Sequence, residues 1–136
     1  MREAFPLLIA EDNADDVWLL NAALRTAAIP CSAHFAENGA EVIDWLNGTG
    51  IYADRNQFPL PKLLITDIKM PKVDGFELMK WIRSEPKFSN LPLVVLSSSD
   101  LPEDVSRAQA LGAAGCFRKT VGYAKLIQFL RAKLDS

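Results

Sequence analysis

The sequence has few of the residues from which soft-metal, haem and disulfide sites are built. It contains two cysteines, Cys31 and Cys116, and one histidine, His34. The cysteines lie far apart and match no metal-ligand spacing, so we expect reduced thiols packed in strands, which suits a cytoplasmic protein. His34 stands alone on a weakly patterned segment, and we therefore expect no ligand role for it.

The sequence also lacks long apolar runs and an excess of charge. No run approaches the length of a membrane span, and Met1-Arg2-Glu3 leads into no adequate signal-peptide core. The net charge of −2 and the pI near 5.4 provide no basic surface for nucleic acid. We expect one globular domain over residues 1–136, located in the cytoplasm. We expect no output domain in this chain and no nucleic-acid or membrane partner.

The segment Lys62–Pro71 organises the rest of the chain. Its residues Leu63–Thr66 are apolar or β-branched in sequence, without helical spacing, which is typical of a strand buried on both faces. The strand ends on Asp67, and Pro71 cannot continue it. Because ligands of open α/β sheets bind at the carboxyl ends of the strands, Asp67 is a candidate site residue.

Strand and helix patterns alternate along the whole chain. The predicted strands are Phe5–Ala10, Cys31–Ala36, about Leu63–Thr66, Pro92–Leu96 and Ala114–Arg118. The predicted helices are Ala14–Ala28, Ala40–Leu46, Gly75–Ser84, one from Pro102 to a stop at Gly112, and one from Tyr123 to Leu134. The stretch Thr49–Pro61, long and interrupted by glycine and proline, predicts a surface loop. This alternation indicates an α/β protein with a parallel sheet covered by helices on both faces.

Polar side chains follow four of the predicted strands. They are Glu11 and Asp12 after the first, Asp67 after the third, Ser97 after the fourth and Lys119 after the fifth. Two carboxylates 4 Å apart repel by about 1 kcal/mol in water and about 4 kcal/mol at an effective dielectric of 20. A hard cation such as Mg²⁺ relieves this repulsion. With a lysine and a hydroxyl nearby, the carboxylates suit a phosphoryl group, which one of them can accept as an acyl phosphate.

These residues, together with Asp74-Gly75 and the segment Leu64–Pro71, resemble the receiver domain of two-component response regulators over essentially the full chain. The resemblance implies the CheY-like, flavodoxin-like fold, in which three αβα layers enclose a five-stranded parallel sheet of order 2-1-3-4-5. The long connection from Asn47 to Pro61 and the run Phe117–Thr120 also resemble the single-domain receivers found with bacterial phytochrome kinases.

The resemblance implies specific roles for the strand-end residues. Asp67 would be the phosphoacceptor, Ser97 would hydrogen-bond the phosphoryl group and Lys119 would pair with it. A Mg²⁺ ion would be held by oxygen ligands from Glu11, Asp12, Asp67 and the backbone carbonyl of Lys69. Such a protein is not an enzyme with a separate substrate, because it catalyses only its own phosphorylation and slow dephosphorylation.

The resemblance also implies partners. The phosphoryl donor would be a sensor histidine kinase or a histidine phosphotransfer protein, docking beside Trp18 near the start of the first helix. The readout would be an unidentified downstream protein or self-association. The expected surface for a homodimer is the fourth helix, fifth strand and fifth helix, about Leu101 to Leu134.

Three positions depart from the usual receiver pattern. Thr120 follows the lysine where many receivers have proline, Cys116 stands where an aromatic ring usually swings inward, and Lys69 is basic where small polar residues are common. The first two departures support an alternative interpretation, in which the chain is a pseudo-receiver, an interaction module that works without phosphorylation. Two enzyme classes fit less well: a haloacid-dehalogenase-type phosphatase needs an acid at position 69, and in a flavodoxin Glu11-Asp12 would repel the phosphate.

Overall fold

The computed structural model describes residues 4–98, 101–119 and 121–134, so Met1–Glu3 and Thr120, considered above, lie outside the described residues. The strands are β1 (Phe5–Ala10), β2 (Cys31–Ala36), β3 (Leu63–Thr66), β4 (Leu93–Ser97) and β5 (Ala113–Arg118). The helices are α1 (Ala14–Thr26), α2 (Gly39–Asn47), α3 (Gly75–Ser84), α4 (Pro102–Ala110) and α5 (Tyr123–Leu134). All strand pairs are parallel, in the order β2-β1-β3-β4-β5. This confirms the predicted fold class and sheet order.

The apolar run of β3 lies at the centre of the sheet and is buried on both faces, as its sequence predicts. Leu64 packs into the core beneath α2, α3 and α4, whereas Leu63 and Ile65 pack into the core beneath α1 and α5. These two cores are the interfaces of the predicted three-layer arrangement. A strand buried on both faces favours apolar side chains at successive positions, which is why Leu63–Ile65 show no alternation; the buried hydroxyl of Thr66 donates to the Asp67 carbonyl at 2.8 Å.

Helix ends differ from the sequence predictions by one or two residues. Helix α1 ends at Thr26 rather than Ala28, because Ala28 takes a left-handed backbone conformation with a φ of 54°. Helix α2 begins one residue earlier than predicted, at Gly39, which Asn38 caps by accepting a hydrogen bond from the backbone N–H of Glu41. Among the strands, β4 begins and ends one residue later than predicted, at Leu93 and Ser97, and β5 begins one residue earlier, at Ala113.

The stretch Thr49–Pro61 is more ordered than a plain surface loop. It contains a 3₁₀ helix, Gly50–Ala53, and the Tyr52 ring stacks on Trp45 of α2 with 5.3 Å between ring centres. Arg55 donates hydrogen bonds to the carbonyls of Trp45 and of the next residue, at 2.7 and 3.0 Å, which satisfies the carboxyl end of α2. The segment lies at the surface, as predicted, but it is fastened to α2 by these contacts.

The remaining predictions from composition concern the thiols and membrane spans. Cys31 in β2 and Cys116 in β5 are partly buried, and both are free thiols, as predicted. Within the described parts of the chain, no helix combines the length and the apolar character that crossing a membrane requires.

Candidate functional site

Asp67 lies directly after β3, and backbone hydrogen bonds hold both its main chain and its side chain in place. Its N–H donates to the carbonyl of Ala10 at 3.0 Å, which continues the β1–β3 ladder, and its Oδ1 accepts from the N–H of Ile68 at 2.7 Å. The N–H of Gly75, at the start of α3, donates to the carbonyl of Ile68 at 2.7 Å. A Cβ at Gly75 would lie 2.1 Å from the Asp67 carbonyl oxygen, so only glycine allows α3 to approach this closely. The Asp67 side chain is therefore fixed, with Oδ2 as the oxygen not used by this local bond.

Glu11 follows β1 at the same edge of the sheet, because Ala10 pairs with Thr66 in the register of β1 and β3. Its Oε2 accepts from the N–H of Asn13 at 3.0 Å, and Asn13 caps α1. Burial raises the pKa of the Glu11 carboxyl, and the charge of Asp67 adds to this effect, whereas hydrogen bonds from Lys119 and Asn13 oppose it. Glu11 is thus a buried acid whose charge depends on nearby cations.

Lys119 provides a cation at this position. Its backbone N–H donates to the carbonyl of Ser97 at 2.7 Å, which sets the start of its side chain at the end of β5. Its Nζ forms ion pairs with Glu11, with Oδ2 of Asp16 at 2.9 Å and with Oδ2 of Asp67 at 2.8 Å. Burial alone would lower the pKa of Lys119, but the bonds to these three carboxylates outweigh it and raise the pKa. The ammonium is therefore charged throughout the physiological range.

The carboxylates around Lys119 also offer oxygen ligands to a metal ion. One oxygen from each of Glu11, Asp12 and Asp67 lies within 4.8 Å of the other two, with Asp12 exposed and the other two buried. Oxygen-only donors suit Mg²⁺ and Mn²⁺, whereas zinc prefers nitrogen and sulfur. With Asp16 included, the cluster has four carboxylates, of which Lys119 contacts three, so it keeps negative charge that a divalent cation would balance.

The other two predicted site residues lie beside this cluster. Ser97, buried at the end of β4, lines a cavity of about 160 Å³ that Cys116 and Val105 also line. The backbone carbonyl of Ser97 accepts the hydrogen bond from the N–H of Lys119, which links β4 to the cluster. Lys69 is exposed and borders an open cleft together with Asp12. The ligand role of the Lys69 carbonyl stays a prediction.

Asp16 is the residue of this cluster that sequence reasoning missed. Its position in the first turn of α1 suggests only a favourable interaction with the helix dipole, a role that Asp15 shares. Asp16 is three residues after the cap residue Asn13, whose Oδ1 accepts the Asp16 N–H at 3.0 Å, but this spacing alone does not show which way the Asp16 side chain points. That turn begins next to Glu11, so its inner side faces the strand ends.

Comparisons with known proteins agree with this geometry. The chain is 31% identical over 116 residues to the two-component response regulator ARR17 of Arabidopsis thaliana, covering 83% of this chain and 74% of that protein. It is 30% identical over 99 residues to the response regulator Rcp1 of Synechocystis, covering 73% of this chain and 65% of that protein.

Solved structures show the same fold. The phosphorylated cyanobacterial phytochrome response regulator RcpA superposes with a TM-score of 0.80 at 28% identity, over 95% of this chain and 90% of that chain. The bacteriophytochrome response regulator AtBRR superposes with a TM-score of 0.82 at 31% identity, over 96% of this chain and 92% of that chain. The Mn²⁺-bound form of the response regulator Rcp1 superposes with a TM-score of 0.78 at 26% identity, over 94% of this chain and 90% of that chain.

The family comparison gives the same answer for most of the chain. The model of the response regulator receiver domain matches residues 7–131, a span that includes every candidate site residue named above. The chain therefore belongs to the response regulator receiver domains of two-component systems.

Proposed function

We propose that Asp67 is the phosphoacceptor of this receiver domain and that residues 1–136 act as one receiver unit. The observation that carries the proposal is the placement of the buried Asp67 carboxylate, 2.8 Å from the Lys119 ammonium and within 4.8 Å of ligand atoms of Glu11 and Asp12. A carboxylate oxygen of Asp67 attacks phosphorus, forming a P–O bond. The P–N bond of a phosphohistidine donor, or the P–O bond of a small acyl phosphate, breaks and its electron pair leaves with the donor.

The neighbouring residues stabilise the charge of the transferred group. Lys119 places a permanent positive charge beside Asp67, and the Ser97 hydroxyl donates a hydrogen bond to a phosphoryl oxygen. Glu11, Asp12, Asp67 and the Lys69 carbonyl would hold Mg²⁺; the relative Rcp1 has been solved in a Mn²⁺-bound form. When bound, this ion neutralises negative charge on the carboxylates and on the phosphoryl oxygens.

The donor and the readout are proteins. A sensor histidine kinase or a histidine phosphotransfer protein supplies the phosphoryl group, and Trp18 is 69% exposed on α1 on the same side of the sheet as Asp16. Phosphorylation adds about −1.5 to −2 charge at Asp67 and shifts the balance between two packings of the adjacent elements. The readout is a partner protein or a homodimer through the face at about Leu101 to Leu134.

A pseudo-receiver is the second candidate function. The observation that favours it is Cys116, which lines the 160 Å³ cavity beside Ser97 where receivers usually carry a mobile aromatic ring. A domain without that ring could serve as a binding module that phosphorylation does not change. This alternative predicts no modification at Asp67.

The test is intact-protein mass spectrometry after incubation with acetyl phosphate and Mg²⁺, with size-exclusion chromatography of the same samples. We expect one phosphoryl group on the wild type, none on Asp67→Asn, and normal modification of Asp44→Asn, which removes an exposed carboxylate of α2. Labelling that persists in Asp67→Asn contradicts the site assignment. A folded wild-type protein that stays unmodified supports the pseudo-receiver. An earlier elution on phosphorylation identifies self-association as the readout.

A further inference from the structure

We infer that Asp16 is a positioning residue that keeps the Lys119 ammonium beside Asp67 during phosphoryl transfer. The inference rests on the proposed function of Asp67 and concerns a residue outside the proposed metal ligands. Its starting observation is the division of the Lys119 contacts. Two of the three carboxylates that contact Nζ, those of Glu11 and Asp67, belong to the metal-binding group, and the third, Asp16, does not.

This division matters because the same oxygens cannot serve two cations fully. When a divalent ion draws on Glu11 and Asp67, and a phosphoryl group occupies Asp67, both carboxylates interact less strongly with Lys119. Asp16 then remains as the fixed anionic partner of the ammonium, through the contact of 2.9 Å to Oδ2. Lysine is a point charge on a flexible stem, so without a fixed partner its ammonium leaves the reacting geometry readily.

Asp16 is well suited to hold a partner because its own position is fixed. It lies in the first turn of α1, where Asn13 accepts its backbone N–H at 3.0 Å and the carbonyl of Asn13 accepts from Val17. Its side chain is only 25% exposed. A site residue on a capped helix is held more precisely than one on a loop.

The space beneath the cluster leaves the ammonium little freedom to retreat inward. Asp16, Glu11 and Asp67 line a cavity of about 10 Å³ there, together with Leu20 and Tyr123. That volume is at the lower limit of what one water molecule needs, and its other lining residues are mostly apolar, so moving the charged ammonium deeper would desolvate it without a new partner. The free direction for Lys119 is therefore outward to solvent, and Asp16 is the contact that opposes this movement once the metal ligands are engaged.

The matched control is Asp15, which has the same charge and the same helix turn. Asp15 is exposed, whereas Asp16 contacts Lys119. Both favour the helix dipole, so Asp15→Asn and Asp16→Asn lose the same charge in the first turn of α1. A difference between these two variants reports the contact with Lys119 rather than net charge or helix stability.

The experiment measures the rate of phosphorylation by acetyl phosphate with saturating Mg²⁺, in quenched samples analysed by intact-protein mass spectrometry. We expect Asp16→Asn to react about tenfold more slowly than the wild type, the size usual for loss of a supporting residue at a site. Asp15→Asn stays within about twofold, and Asp16→Glu recovers most of the rate. In a Lys119→Ala background, adding Asp16→Asn has no further effect, because the contact is already gone.

A second readout does not depend on phosphorylation. With Mg²⁺ bound, an amine-modifying reagent labels Lys119 several-fold faster in Asp16→Asn than in the wild type or Asp15→Asn, measured by peptide mass spectrometry. Equal labelling overturns the inference, as does a rate in Asp16→Asn equal to or above that of the wild type. The inference is also overturned if adding Asp16→Asn slows phosphorylation of the Lys119→Ala variant as much as it slows phosphorylation of the wild type. An unmodified wild type contradicts the proposed function instead, and the labelling comparison still decides the role of Asp16.

Discussion

The Lys119 ammonium lies 2.8 Å from Oδ2 of Asp67 although the two residues follow strands that are not neighbours in the sheet. Strand β4 separates β3 from β5, and the lysine side chain spans its end. The backbone bond from Lys119 to the carbonyl of Ser97 fixes the start of that side chain on β4. The ion pair therefore joins the ends of three strands, and a change at Asp67 reaches β4 and β5 directly.

The same ion pair predicts competition between Lys119 and Mg²⁺. Lys119→Met removes a positive charge that contacts Glu11 and Asp67, so the dication loses a repulsive neighbour and gains two free carboxylates. We expect Mg²⁺ to bind about tenfold more tightly, a change of about 1.4 kcal/mol in binding free energy. Isothermal titration calorimetry measures it, with Lys80→Met on the exposed side of α3 as the control. Unchanged or weaker binding in Lys119→Met would show that the ammonium does not oppose the ion.

We expect a side chain at position 75 to disturb the acidic site, because α3 packs tightly against the backbone of Asp67. In Gly75→Ala the new Cβ would lie 2.1 Å from the Asp67 carbonyl oxygen, so α3 must move away from β3. We expect a loss of about 3 kcal/mol in the free energy of unfolding, measured with urea, and weaker Mg²⁺ binding.

The control for this prediction is Gly50→Ala. Gly50 has a φ of 58° but nothing within 4 Å of an added Cβ, so the substitution costs only the backbone strain, about 1 kcal/mol. Equal losses in the two variants would mean that backbone conformation, rather than the approach of α3 to Asp67, sets the requirement for glycine at position 75.

The sequence predicts the sheet and the members of the acidic cluster because both depend on local patterns. Apolar runs bounded by turns define the strands, and the carboxyl ends of parallel strands share one edge whatever the side chains do in detail. The contact between Asp16 and Lys119 depends instead on how α1 is rotated over the sheet. That rotation is set by the Asn13 cap and by packing of Leu20 and Leu24 against the sheet, which spacing along the chain does not reveal.

Contacts from arginine side chains to distant backbone carbonyls are equally invisible in the sequence. Arg83 lies in the last turn of α3 and holds together two loops. Its guanidinium donates to two carbonyls before β4 and two after α4, at 2.8 to 3.0 Å: those of Ser89, Leu91, Leu111 and Gly112. Its position depends on the full tertiary fold, since the last two acceptors are 28 and 29 residues away.

This guanidinium predicts that lysine cannot replace arginine at position 83. Lysine has one nitrogen and cannot reach four carbonyls in this fork-like arrangement, so Arg83→Lys leaves partly buried acceptors without donors. We expect a loss of about 2 kcal/mol in the free energy of unfolding. Urea denaturation measures it, and Lys80→Arg on the same helix provides the control for the lysine–arginine exchange. A loss below about 0.5 kcal/mol, the range of ordinary surface substitutions, would mean that these bonds contribute little.

Tyr52 predicts a specific dependence of stability on alkaline pH. Its hydroxyl donates to Oε1 of Glu41 at 3.1 Å, and burial together with the Glu41 charge raises the pKa of Tyr52 to about 12. The unfolded chain releases this proton near pH 10. The stabilising contribution is therefore complete below pH 10 and is lost as the pH rises towards 12.

Removal of this hydroxyl tests the contribution. Tyr52→Phe should lose about 1 kcal/mol in the free energy of unfolding at pH 7, and its stability should then fall less steeply than that of the wild type between pH 10 and 12. Chemical denaturation across the pH series measures both effects. Tyr123→Phe is the control at pH 7, because the buried Tyr123 hydroxyl has no hydrogen-bond partner among the described residues. Parallel pH curves for Tyr52→Phe and the wild type would contradict the assignment.

The alkylation rate of Cys116 reports how the domain responds to phosphorylation, since this residue stands where receivers usually have an aromatic ring. If the Ser97 hydroxyl moves towards the phosphoryl group to donate the proposed hydrogen bond, the 160 Å³ cavity that Ser97, Cys116 and Val105 line becomes larger, and a larger void loses packing contacts. We therefore expect α4, which carries Val105, to close over Cys116 and slow its alkylation by iodoacetamide at least threefold.

Burial raises the pKa of both thiols, so Cys31 on the edge strand β2 serves as an internal reference whose alkylation rate stays constant. Peptide mass spectrometry gives the ratio of the two rates with and without acetyl phosphate. A constant ratio would mean that the cavity does not respond, and faster alkylation of Cys116 would mean that α4 moves away from β5.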